Sequence, residues 1–230
     1  MRLDPRRLCT ASVTLCGGRV VVSCLMLSVA TIAGAQMPGT PVLQNAWSTP
    51  GIVMAFNFSG GDGSVYGAAA SWSAPSSRLQ VSAGTGLRSR SDVGTKAVYG
   101  ARLAVPIYGE FSAFGFGAFA GVGATSSGAA TSADSVATTT QFPVGLALGW
   151  RHALGANRGV SLYVTPSYLF LTGGKDNAGL FRTAVGVDLG LAKAVGLTGG
   201  VEFGASHTRT EGGPTGTLYG LGISYAFGRR

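Results

Sequence analysis

The sequence predicts an all-β chain closing into an antiparallel up-and-down transmembrane β-barrel of ten strands, or eight if residues 51–72 pair differently. Three observations predict it. First, large apolar residues alternate with small ones along successive segments. In "TLYGLGISYAF" (217–227), Tyr219, Leu221, Ile223, Tyr225 and Phe227 share one parity and Gly220, Gly222, Ser224 and Ala226 the other. A strand of a water-soluble sheet carries polar residues on its second face; here that face is merely small, so bulk belongs outside and room inside. Second, glycine supplies 38 of 230 residues, more than twice the ordinary share of roughly 7%, and only 11% are charged. Third, beyond a basic leader no segment is apolar over the roughly 20 residues a spanning helix needs. Backbone groups in lipid must be satisfied within the protein, and a closed barrel does so without helices.

Residues 1–35 read as an export signal: Arg2, Arg6, Arg7 and Arg19 precede the apolar run "VVVSCLMLSVATIA" (20–33), and Ala33-Gly34-Ala35 supplies a small-residue cleavage site before Gln36. Cys9, Cys16 and Cys24 all lie in this leader, so no disulfide or cysteine-held metal is expected beyond it. The rest stays basic, but its Lys and Arg are scattered and form no stripe, which argues against a nucleic-acid partner. Residues 36–50 are assigned to a segment outside the inner end of the barrel, and 51–230 to the barrel itself.

The strands follow in order. "GIVMAFNFS" (51–59) sets Ile52, Met54, Phe56 and Phe58 against Val53, Ala55, Asn57 and Ser59; "SVYGAAASW" (64–72) follows the turn "GGDG". "RLQVSAGTGL" (78–87) turns Leu79, Val81, Ala83 and Leu87 outward, and "AVYGARLAV" (97–105) does the same with Tyr99, Ala101, Leu103 and Val105. "SAFGFGAFAGV" (112–122) has Phe114 and Phe116 on one parity and Phe119 on the other, leaving its facing open. "QFPVGLALGW" (141–150) alternates cleanly, and "VSLYVTPSYLF" (160–170), "FRTAVGVDLGL" (181–191), "LTGGVEFGA" (197–205) and the last strand complete the set. Pro166 removes a ladder hydrogen bond and is expected to mark a bulge.

Two patterns not used to choose faces agree with this register. With the first strand starting at the inner side, the longest connector, 123–140, falls outside, where long barrel loops belong. Aromatic residues gather at two levels: Trp47, Trp72, Tyr108, Trp150, Tyr225 and Phe227 at the inner boundary, and Phe58, Tyr66, Tyr99, Phe142, Tyr168, Phe170, Phe181 and Tyr219 at the outer. Two such girdles are expected where amphipathic rings meet lipid headgroups.

With its leader, its cysteine-free remainder, its alternating strands and its final "GISYAF", the chain resembles the small outer-membrane β-barrel proteins of Gram-negative-type bacteria, the opacity-like and porin-like barrels. The resemblance implies a place in the outer membrane, a periplasmic location for 36–50, contact with outer-membrane lipid, and assembly by the outer-membrane barrel machinery. Gly222, Tyr225 and Phe227 match that machinery's glycine-then-aromatics signal; Gly220 and the trailing Gly228-Arg229-Arg230 depart from it. No cofactor or metal is implied.

Inward charges are Arg78, Arg102, Arg182, Asp188 and Glu202. If the 192–196 turn pairs Lys193 with Leu197, Asp188 and Glu202 sit opposite each other and repel, unless a proton or cation joins them. Arg102 then faces Glu202 across a lumen that ten strands lined with Gly, Ala and Ser leave open to water. Arg102, Asp188 and Glu202 are thus read as a charge cluster that braces the barrel and narrows any pore. The functions that follow are a non-enzymatic structural or surface-interacting barrel, a low-conductance diffusion channel, or a hydrolase at the extracellular rim. A soluble exported β protein with a ligand cavity is a further class, and it predicts extraction without detergent. The hydrolase would use Ser206, His207 and Glu211, but chain neighbours point to opposite strand faces, which suits a nucleophile and its base poorly. "GVGATSSG" (121–128) lacks the following helix that a nucleotide-binding loop needs, and His152 and His207 fall at opposite barrel ends, too far apart to share a metal.

Overall fold

The computed structural model describes residue 35 and residues 37–73, 79–91, 94–109, 112–126, 139–155, 158–173, 177–206 and 216–227. The leader before Ala35, Arg78, most of the 123–140 connector, His207, Glu211 and residues 228–230 lie outside the described residues. Ten strands form: β1 (Gly51–Gly60), β2 (Ser64–Ser73), β3 (Gln80–Arg90), β4 (Gly94–Tyr108), β5 (Phe114–Thr125), β6 (Thr140–Gly155), β7 (Arg158–Thr172), β8 (Ala178–Gly190), β9 (Val195–Gly204) and β10 (Leu218–Phe227). Each pairs antiparallel with its chain neighbours, and β1 closes on β10 from Ile52↔Phe227 to Gly60↔Tyr219. Because β1 also pairs β2 with Ile52 opposite Trp72, the eight-strand alternative falls away.

Period-2 alternation is realised as an inside-out polarity. Ile52, Met54, Phe56, Leu103, Leu146, Leu162, Leu221 and Ile223 are exposed on the outer surface, while Arg102, Arg182, Asp188 and Glu202 are buried within. A soluble barrel does the reverse. On β5 the open question resolves without a break: Phe114 and Phe116 face out, Phe119 faces in, and the pairing with β6 holds one register from Phe114↔Trp150 to Ala124↔Thr140.

Several strands run longer than their patterns predict. β3 and β4 leave only residues 91–93 between them, and β6 continues through His152 to Gly155. Pro166 makes no bulge. β7 keeps one register with β8 through Pro166↔Thr183, and its ladder with β6 skips from Gly145↔Ser167 to Leu148↔Val164. A missing N–H removes pairs without adding a residue, so the register survives. The irregularities lie instead at Pro106/Tyr108 and Ala153/Gly155, both at the end of the barrel where β1 begins, called proximal below. The two longest connectors, 126–139 and 205–217, are both at the distal end.

Gly109 opens the proximal β4–β5 connector with φ +90, and its carbonyl accepts the Ser112 N–H at 3.0 Å. A Cβ there would press on the Phe114 carbonyl. Gly109→Ala is expected to destabilise the barrel by about 1–3 kcal/mol, read as a lower midpoint for loss of heat-modifiable gel migration.

Candidate functional site in the barrel lumen

Residues 37–50, "MPGTPVLQNAWSTP", carry no charge and three prolines. They do not lie outside the inner end of the barrel but inside it, which corrects the expectation for this segment. Met37, Val42, Ala46 and Trp47 are buried among inward-facing wall residues, as are Thr40, Gln44, Asn45 and Thr49. The chain reverses at Met37-Pro38-Gly39-Thr40, toward the distal end. Gly39 takes φ +83 there, and the Met37 carbonyl accepts the Thr40 N–H at 3.1 Å and its hydroxyl at 2.6 Å. Proline then glycine is the residue pair a type II turn requires. From Thr40 the chain descends the lumen to Gly51, where φ +92 starts the reversal into β1.

The inward glycines make room for this segment. An added Cβ would lie 2.7 Å from Met37 at Gly67, 2.8 Å from Pro41 at Gly220, and against Leu43 at Gly200. At the proximal end the Trp47 indole occupies a notch between Gly115 and Gly149, where a Cβ on either would come within 2.6 Å of it. Its N–H donates to the Gly109 carbonyl at 2.7 Å, and the Arg151 guanidinium lies 4.7 Å from a ring centroid. Trp47, 5% exposed and inside, is therefore not part of an outer girdle, because its ring fills space that no wall side chain fills. Trp72 and Tyr225 do face outward near the proximal end, with Phe227 4.9 Å from Tyr225, and Trp150 stacks on His152 at 5.8 Å. Tyr66, Tyr99, Tyr168 and Tyr219 face outward toward the distal end. On β10, Gly222 faces inward opposite Asn57, on the parity opposite to Tyr225 and Phe227.

The three charges read as a cluster are brought together by the segment rather than by one another. Glu202 Oε2 accepts the Val42 N–H at 2.5 Å. Arg102 donates to the Leu43 carbonyl at 3.3 Å and lies 5.8 Å from the Phe119 ring centroid. Thr165 Oγ1 donates to the Gln44 carbonyl at 3.1 Å, and Asn45 Nδ2 donates to Asp188 Oδ2 at 2.6 Å and to Ser161. Neighbouring peptide groups of the segment thus span from Glu202 to Arg102, where water was expected.

The pairing of Asp188 with Glu202 is not formed. The β8–β9 turn is centred two residues earlier than expected, on Lys193 rather than Val195, with the Leu191 N–H donating to Val195 O at 3.0 Å and Gly190 opposite Gly196. Asp188 therefore faces Thr198 and Glu202 faces Ala184. Thr198 donates to Asp188, while Glu202 takes Arg182 as its partner, Nε to Oε1 at 2.5 Å. Arg182 also donates to the Ala205 and Gly216 carbonyls at 2.6 and 2.7 Å, tying both ends of the β9–β10 connector to the wall. Near the distal rim Asp62, in the tight β1–β2 turn, pairs with Arg88 and Arg90, and Arg88 packs against Gly39. The Asp62 carboxylate is thereby folded inward onto β3. A void of about 30 Å³ lies between the segment and the β1–β10 wall, lined by Met37, Pro41, Leu43, Asn57 and Gly220. Of the hydrolase residues, Ser206 is exposed.

Among solved structures, the β domain of the Bordetella autotransporter Brka matches with a TM-score of 0.51 at 16% identity, over 78% of this chain and all of that one. The fold is that of an outer-membrane β-barrel. The KdgM porin in complex with disordered oligogalacturonate matches with a TM-score of 0.39 at 15% identity, over 76% of this chain and 99% of that one. The N-terminal β-barrel domain of Pseudomonas aeruginosa OprF gives 0.34 at 8%, over 76% and 96%. No protein-family model and no curated protein matches the chain. In this outer-membrane-type barrel the segment contributes no strand: β1 to β10 close the sheet without it, and residues 37–50 sit within.

Proposed function

We propose that the protein is an integral outer-membrane β-barrel whose lumen is closed at rest by its own N-terminal segment, acting without enzymatic activity in a structural or surface-interacting role. The observation that carries this reading is the segment itself: it occupies the path a solute would take, with Trp47 across the proximal mouth and Gly39 under the Asp62–Arg88 pair at the distal one. The apolar outer surface supports lipid as the surrounding solvent, and the long distal connectors support an extracellular distal end. Tyr225 and Phe227, on the strand that closes the barrel, are suited to recognition by the assembly machinery once the leader has been removed after Ala35.

Fractionation tests the membrane reading. The protein should stay with the membrane until detergent is added, and release in plain buffer would sink the reading. Ile223 gives it an energetic measure, being half-exposed and opposed by Phe56 and Leu197. Ile223→Arg should cost about 2–4 kcal/mol in bilayers, the penalty of a cation on the lipid face near the midplane. In planar bilayers the wild-type protein should show no steady single-channel steps.

A further inference from the structure

We propose that the lumen is a binding channel for an extended, uncharged polypeptide segment, with residues 37–50 as its resident and displaceable occupant. This rests on the closed-barrel reading above and adds the ligand class of the same site.

The wall grips the segment as a peptide-recognition groove does, with main-chain contacts supplying affinity and pockets supplying selectivity. Glu202, Arg102 and Thr165 bond the Val42 N–H and the Leu43 and Gln44 carbonyls, groups that almost any extended chain presents. Gly67, Gly200 and Gly220 leave clearance for a chain where wall side chains would otherwise stand. Two positions read side chains. Asn45 is held by Ser161 and Asp188, and Trp47 by the Gly115–Gly149 notch, the Gly109 carbonyl and Arg151. The recognised element is therefore a neutral chain bearing an amide and, two residues on, an indole.

Displaceability follows from how the charges are compensated. The segment offers no ion pair, so its departure breaks none. Glu202 retains Arg182, Asp188 retains Thr198, and Arg102 retains the face of Phe119. Each of these wall charges thus keeps a protein contact when the segment leaves: an ion pair for Glu202, a hydroxyl for Asp188 and a ring face for Arg102. Among the described residues, Arg102 Nε on the wall and Asn45 Oδ1 on the segment have no protein hydrogen-bond partner. Pro38, Pro41 and Pro50 remove three N–H groups, which keeps the segment from joining the sheet as a strand.

The test uses the full chain in planar bilayers. Wild type should be silent, and Asn45→Ala combined with Trp47→Ala should show single-channel steps while retaining heat-modifiable migration. A synthetic peptide with the sequence of residues 37–50 should abolish those steps, and the same peptide with Asn45 and Trp47 replaced by alanine should not. A folded double variant that stays silent, or steps that respond to neither peptide or to both alike, would overturn the proposal. Should the double variant fail to fold, Ala46→Cys in the otherwise native chain reports displacement: maleimide labelling at position 46, read by mass spectrometry, should speed up with excess 37–50 peptide. Labelling indifferent to that peptide overturns the proposal as well. Steady wild-type steps would remove the closed resting state instead, and their block by the peptide would still support the channel.

Discussion

Arg182→Ala is expected to lower the unfolding free energy by about 3–5 kcal/mol, the cost of stranding one partner of a buried ion pair. Arg182 is 1% exposed, and its guanidinium serves three acceptors at once: Glu202, the Ala205 carbonyl and the Gly216 carbonyl. Truncation leaves the Glu202 carboxylate buried with the Val42 N–H as its remaining partner, and frees both ends of the β9–β10 connector from the wall. Arg182→Lys keeps the charge but loses the planar fork that reaches divergent acceptors, so it should fall between wild type and alanine. Glu202→Gln should also destabilise, since it removes the pair's anion while leaving an amide oxygen for Val42. Urea unfolding in lipid vesicles measures all three. A loss below about 1 kcal/mol for Arg182→Ala, the range of a surface pair, would mean that this charge does not brace the barrel.

Trp47→Ala should cost a similar amount, about 3–5 kcal/mol, the usual range for deleting a buried tryptophan. The indole fills a notch cut by two wall glycines, so no neighbouring side chain is placed to collapse into the vacancy. Its loss also removes a hydrogen bond to Gly109 and uncovers the Arg151 guanidinium. The reciprocal change gives a sharper result. Gly115→Val places carbon where the ring lies and should destabilise by about 1–3 kcal/mol through overpacking. In the Trp47→Ala background the same valine enters an empty notch, so the two effects should be strongly non-additive. Additive losses would show that the indole does not occupy the notch.

Much of the barrel was legible because its information is local. A large residue at every second position reports which side of a strand meets hydrocarbon, and β10 shows it residue by residue from Tyr219 to Phe227. Inward parity was also legible for Arg102, Arg182, Asp188 and Glu202, and all four are buried inside. Their partners were not. The Asp188–Glu202 pairing assumed a β8–β9 turn centred on Val195, and centring it on Lys193 slides one carboxylate past the other. Nothing in the face pattern forbids either closure, since Gly and Ala populate both registers. The lumenal segment did leave two signals. An uncharged stretch with Met37, Val42, Leu43 and Trp47 is a poor candidate for free solution, and its Pro-Gly pair predicts a reversal.

Closure and the facing of most strands could be read from the chain, and strand number narrowed to ten or eight, because each residue's solvent, lipid or lumen, is written into its size and parity. What fills the lumen depends on contacts between residues far apart in sequence, such as Trp47 with Gly115 and Gly149 or Val42 with Glu202. A glycine records only that space is needed, not what enters it. The occupant therefore emerged only when the closed sheet and the segment preceding it were placed in one volume.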